Sequence, residues 1–148
     1  MVAVEANPVL AERLRARFAG QPVYVENVCI GPSESERVQF WANRRNDTWS
    51  AFDRKMATRD GTEAYMVELP STTLRTLLDR HGIPEYLKID IEGMDQECLK
   101  SLDPQNLPKY ISLELSHGGD IIGGLAALGY TRFKIINQGT FTTLTPIF

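Results

Sequence analysis

The stretch Tyr86-Leu-Lys-Ile-Asp-Ile-Glu-Gly93 limits what this chain can become more than any other. Leu87, Ile89 and Ile91 suit a central strand of an α/β sheet, buried on both faces. Asp90 and Glu92 stand at the end of that strand. In open α/β sheets ligands collect outside the carboxyl ends of the strands, so both carboxylates fall where chemistry is done. Gly93 permits a sharp turn into the next helix, expected from Met94 to about Leu102. A structural reading stands beside this one. An Asp before a helix serves as its N-cap, and a nearby Glu completes the capping.

The rest of the chain alternates in the same way. Val2 to Val4 reads as a short strand, and Pro8 opens a helix whose apolar positions Leu10, Leu14 and Phe18 recur at helical spacing. Pro22 to Ile30 reads as the next strand, and Arg37 to Ala42 with Tyr65 to Leu69 as a half-exposed pair. Between these, Asn43 to Glu63 is long for a connection and suggests a functional excursion or a lid. Ser71 or Thr72 would cap a helix reaching His81, with His81 itself as a C-terminal cap. Lys109 to Leu115 reads as a further buried strand, followed by a Gly-rich helix and a terminal hairpin of Phe133 to Ile136 with Phe141 to Leu144. Strand–helix alternation of this kind means an α/β fold with a mostly parallel sheet.

Composition narrows the function classes. At 148 residues, 43% of them hydrophobic, the chain reads as one domain, residues 1–148, with room for a core. Sixteen Lys and Arg against nineteen Asp and Glu leave a formal net charge of −3, which gives no support to nucleic acid as a partner. Arg44-Arg45 and Arg54-Lys55 are interspersed with Asp47 and Asp53 and read as a solvated loop. Cys29 and Cys98 form no C-x-x-C pair and sit in apolar segments, as buried reduced thiols do. No apolar run approaches the ~20 residues of a membrane span. The start, Met1-Val-Ala-Val-Glu5, lacks the basic region of a secretory signal, so a cytoplasmic location follows by elimination.

Four motifs carry a family resemblance. Val4-Glu-Ala-Asn-Pro8, Asn27-Val-Cys-Ile-Gly31, Ser71-Thr-Thr-Leu74 and Leu87-Lys-Ile-Asp-Ile-Glu-Gly93 follow in the order and spacing of FkbM-type methyltransferases, and the chain resembles that family over almost its whole length. The resemblance implies a Rossmann-like class I methyltransferase sandwich, with a mostly parallel sheet and an antiparallel C-terminal hairpin. It implies S-adenosylmethionine as cofactor. It also implies a small-molecule or glycan acceptor, methylated on a hydroxyl of a sugar, lipid or secondary metabolite. Cys29 stands where the family usually has a small residue such as alanine, and Asp95 where a second glutamate is more usual.

The family's first strand and glycine-rich loop would lie before Val2, so by resemblance the domain is incomplete at its N-terminus. By analogy that strand is the centre of the sheet, between the strand ending at Glu5 and the strand ending at Asp90. Its loss would leave two apolar edges with unpaired backbone groups. Strands closing up, another segment moving in, or a strand swapped from a second copy in a homodimer would each compensate. Truncation of an ordinary family member is the expected origin.

The resemblance also assigns roles. Glu5 would accept hydrogen bonds from the two ribose hydroxyls of the cofactor, a task suited to a group with two acceptor oxygens. Its structural alternative is an acid favoured by the dipole of the helix opening at Pro8. Ala6 would let the adenine approach, and Asn27 would read the adenine edge or stabilise a turn. Asp90 would orient the acceptor or take its proton, with Glu92 assisting. His117, beside Gly118-Gly119, is a candidate general base or a structural turn histidine. Asp90, Glu92, Glu114 and His117 form an oxygen-rich set with one imidazole, of the kind that holds Mg²⁺. Two other readings remain open. One is a truncated, non-catalytic copy that binds no cofactor, and the other is a metal-dependent hydrolase using Asp90, Glu92 and His117, which leaves Glu5-Ala-Asn-Pro8 unexplained.

Overall fold

Short apolar strands separated by helical crossovers pair in parallel, since a hairpin cannot join them. The computed structural model describes residues 1–91, 94–115, 120–145 and 147. β1 (Val2–Val4) leads into α1 (Pro8–Arg17) and returns as β2 (Tyr24–Glu26), parallel to β1 with Val4 opposite Glu26. Asn7 caps α1 by accepting the Val9 N–H at 3.0 Å, and Pro8 occupies the first turn, where a missing N–H costs nothing. The strand expected over Pro22 to Ile30 is divided in two. β2 ends at Glu26, and β3 (Cys29–Ile30) belongs to a second sheet, because Asn27 turns aside to hold the end of β1.

β4 (Ser35–Asn43) and β5 (Ala64–Thr72) form the half-exposed antiparallel pair the alternation predicts, in the order β3-β5-β4. The segment between them is built rather than open. It holds two 3₁₀ turns, Asp47–Trp49 and Arg59–Gly61, around α2 (Arg54–Ala57). Asn43, only 2% exposed, organises it. Its amide donates to the Ala57 carbonyl and to Thr62 Oγ1, both at 2.6 Å, and its Oδ1 accepts the N–H groups of Arg45 and Asn46, both at 2.8 Å.

α3 (Leu74–His81) is capped by Thr73, one residue beyond the expected Ser71 or Thr72. Gly82 ends it at φ +83°, a backbone conformation that favours glycine. β6 (Tyr86–Lys88), α4 (Asp95–Lys100), β7 (Tyr110–Ser112) and α5 (Ile121–Leu128) follow, with β6 and β7 parallel. Asp120 caps α5 through the Gly123 N–H at 2.7 Å. A Cβ at position 123 would fall 1.9 Å from that carboxylate, so the cap requires glycine there.

Ile30, Leu74, Leu77, Leu78, Ile89, Cys98, Leu99, Leu102, Ile121 and Leu125 form the main core, and Cys29, Phe40, Ala42 and Leu69 a second. Successive strand residues point to opposite faces, which places neighbours Cys29 and Ile30 in different cores. Both cysteines are free and buried, and burial pushes each thiol up to about 12.

Two differences from the sequence expectation concern the sheet. The described residues form three separate sheets, β1-β2, β3-β5-β4 and β6-β7, and β1 and β6 each have one strand neighbour. The terminal hairpin contracts to a single bridge, Ile136 opposite Thr143. Its turn forms as expected at Asn137, whose Oδ1 accepts the N–H groups of Gly139 and Thr140 at 3.0 Å. Phe141, at φ +55°, closes that turn, and pairing follows beyond it, from the Asn137 N–H to the Thr142 carbonyl at 2.8 Å and from the Leu144 N–H to the Ile135 carbonyl at 2.9 Å. Among the described residues no helix is long and apolar enough to cross a membrane.

Candidate functional site

The carboxyl ends of β1 and β2 bring Glu5, Ala6 and Asn27 together. Pairing continues one residue past β1, where the Glu5 N–H meets the Glu26 carbonyl at 3.0 Å. Glu5 Oε1 accepts the Asn7 N–H at 2.7 Å, which fixes the carboxylate over the turn into α1. Asn27 donates its side-chain amide to the carbonyls of Glu5 at 2.8 Å and Ala6 at 3.1 Å. Both amide hydrogens are then directed at the backbone, and the side-chain oxygen is the group left to accept from a ligand. The Glu5 charge reaches Cys29 as well, where it adds to burial in raising the thiol.

The carboxyl ends of β6 and β7 carry a second cluster. Asp90 is not the N-cap of α4, since Met94 holds that position without a side-chain hydrogen bond. Asp90 is exposed instead, with Lys88 Nζ 2.5 Å from its Oδ2. Pairing of β6 with β7 ends at Lys88 opposite Ser112, and Asp90 and Glu114 each stand two residues beyond it. Both line a cavity of about 700 Å³ whose remaining walls include Leu113, Ile121, Leu125, Phe133 and Phe141. Glu92 and His117 lie outside the described residues. Among the described residues no group of three or more His, Cys, Asp or Glu comes together to hold a metal ion.

His81 does not cap its helix, a role taken by Gly82. Its Nε2 lies 2.7 Å from Glu26 Oε1, which also accepts from Arg80 at 3.1 Å, and these contacts hold the Glu26 carboxyl below its usual range. The pair ties β2 to α3.

The two clusters lie at the carboxyl ends of parallel strand pairs. The model of the methyltransferase FkbM domain matches residues 1–135. The chain belongs to the FkbM methyltransferase family. No curated protein and no solved structure matches it significantly. Membership agrees with the α/β architecture, and the family generally implies S-adenosylmethionine as the methyl source.

Sequence reading passed over Lys88 and the Asn27 clamp. Lys88 had a legible signal. It stands two residues before Asp90 in a strand, and a period of two puts both on one face. The clamp had none, because it joins residues twenty-two apart in sequence.

Proposed function

We propose that this chain is an S-adenosylmethionine-dependent O-methyltransferase domain acting on a hydroxyl of a small-molecule or glycan acceptor. The observation that carries the reading is the Glu5, Ala6 and Asn27 cluster. A carboxylate held at the end of a parallel strand suits a ribose diol. Beside it, the Asn27 side-chain oxygen suits the amino group of adenine, and half-buried Ala6 leaves space for the ring. The cofactor supplies an electrophilic methyl carbon on sulfur. With the cofactor bound, Asp90 would accept the acceptor's hydroxyl hydrogen, position that oxygen and take its proton as the methyl group is transferred. Products are a methyl ether, S-adenosylhomocysteine and a proton. The ion pair with Lys88 fixes where the Asp90 carboxylate stands, which suits orienting the hydroxyl more than strong base work. Glu92 and His117 are assigned assisting roles by their motifs alone.

Among the described residues β1 and β6 each pair with one other strand, and by the family resemblance a central strand would belong between them. A strand from a second copy at those edges would make a homodimer. That single pairing also favours the second reading, a methyltransferase-like domain that binds no cofactor. Calorimetric titration with S-adenosylmethionine and S-adenosylhomocysteine separates the two. Saturable binding that disappears in Glu5→Ala supports the enzyme, and a folded chain that gives no heat supports the second reading.

A further inference from the structure

A site for a free sugar needs donors and acceptors converging from several sides on its hydroxyls. The cavity beside Asp90 has a different construction. Ile111, Leu113, Leu125, Phe133, Ile136 and Phe141 supply apolar wall, while Lys88, Asp90, Ser112 and Glu114 line it from alternate positions of the β6 and β7 segments. With a volume of about 700 Å³, a wall surface supplied mainly by apolar side chains and a set of charged and hydroxyl groups among them, the cavity suits a compound with both an apolar body and polar groups.

The charges around it are uneven. Lys88 is matched by Asp90, and Lys109 by Glu85 at 3.5 Å. Arg132 and Lys134 also line the cavity, both exposed, and among the described residues neither has a carboxylate partner. They flank Phe133, which packs against the main core. An apolar body along Phe133 would therefore bring an anionic group to the two cations.

We infer that, granted the methyltransferase reading above, the acceptor is a hydroxylated amphiphile: an apolar, acyl-like body that carries a carboxylate or phosphate and presents its hydroxyl at Asp90. The apolar walls bind the body. Arg132 and Lys134 select the anion, and Asp90 receives the hydroxyl.

Calorimetry on the whole chain tests this with hydroxydodecanoate, hydroxydodecyl phosphate, uncharged dodecanediol and glucose, beside a parallel titration with S-adenosylmethionine. The expected result is binding of the hydroxy acid about five-fold tighter than the diol, the scale of exposed charge contacts, with glucose silent. Replacing both cations, Arg132→Gln with Lys134→Gln, should bring acid and diol to equal affinity while the S-adenosylmethionine heat stays unchanged. Tighter binding of the phosphate than of the carboxylate would assign the anion to a phosphate ester. Cofactor binding without amphiphile binding, or binding of glucose, overturns the acceptor class and leaves the methyltransferase reading intact. Amphiphile binding without cofactor binding removes the methyltransferase reading and the acceptor role with it.

Discussion

Asn27 ties the end of β2 to the turn after β1, its side-chain nitrogen standing 2.8 Å from the Glu5 carbonyl and 3.1 Å from that of Ala6. This contact sets where the Glu5 carboxylate sits, so stability and cofactor affinity should fall together when it is cut. Asn27→Ala removes two hydrogen bonds worth about 1 kcal/mol each in a partly buried place. We expect a loss of roughly 1–3 kcal/mol in urea unfolding and a drop of about tenfold or more in S-adenosylmethionine affinity. An unfolding midpoint equal to that of the unsubstituted chain would show that the clamp carries no load.

Asn43 makes a sharper stability test. Its side chain is buried and uses both ends, donating to Ala57 and Thr62 and accepting from Arg45 and Asn46. Asn43→Ala strands those groups inside the excursion between β4 and β5, at a cost of about 2–4 kcal/mol by the usual penalty for unsatisfied buried polar groups. Limited proteolysis should then cut within residues 44–63 well before the rest of the chain. Equal cleavage rates in the variant and the unsubstituted chain would show that the excursion does not depend on Asn43.

The contact between His81 and Glu26 predicts a pH dependence. The His81 hydrogen bond, helped by Arg80 and opposed by burial, lowers the Glu26 carboxyl below its ordinary 4.5. A carboxyl lowered on folding stabilises the folded state fully above its unfolded value, and that stabilisation is lost as pH falls through the folded one. The contact should therefore hold β2 on α3 at neutral pH and release below about pH 4.5. Glu26→Gln should lower the Tm at pH 6 by about 1–3 °C, for a pair partly screened by solvent. The difference between variant and unsubstituted chain should shrink as the pH is taken toward 3. A constant difference across that range would assign the effect to packing rather than charge.

Local pattern carried much of this structure. Helix α1 begins at Pro8 behind an Asn cap, and α3 ends at His81 before Gly82, because capping and φ preference act within one turn of chain. Leu74, Leu77, Leu78 and Ile89 enter the core as their spacing predicts. The site was legible only by its ends. Glu5 and Asp90 follow apolar strands, and the spacing of Lys88 and Asp90 hints at their pairing, but nothing near Asp90 announces that it is exposed. The terminal hairpin forms where its sequence placed it but pairs only briefly, around Ile136 opposite Thr143.

By itself, then, the sequence determined the strand–helix alternation, the core face of α3, the start of α1 and the family. These depend on short-range periodicity and on motifs a few residues long. The apolar positions Leu10, Leu14 and Phe18 of α1, by contrast, enter neither core, and Ala11 is its buried residue. Tertiary structure alone decided that Pro22 to Ile30 divides between two sheets, that Asn27 clamps Glu5, that Asn43 organises its excursion and that His81 meets Glu26. Each of these joins groups separated in sequence. Their energies come from burial and hydrogen bonds that exist only once the chain has closed on itself.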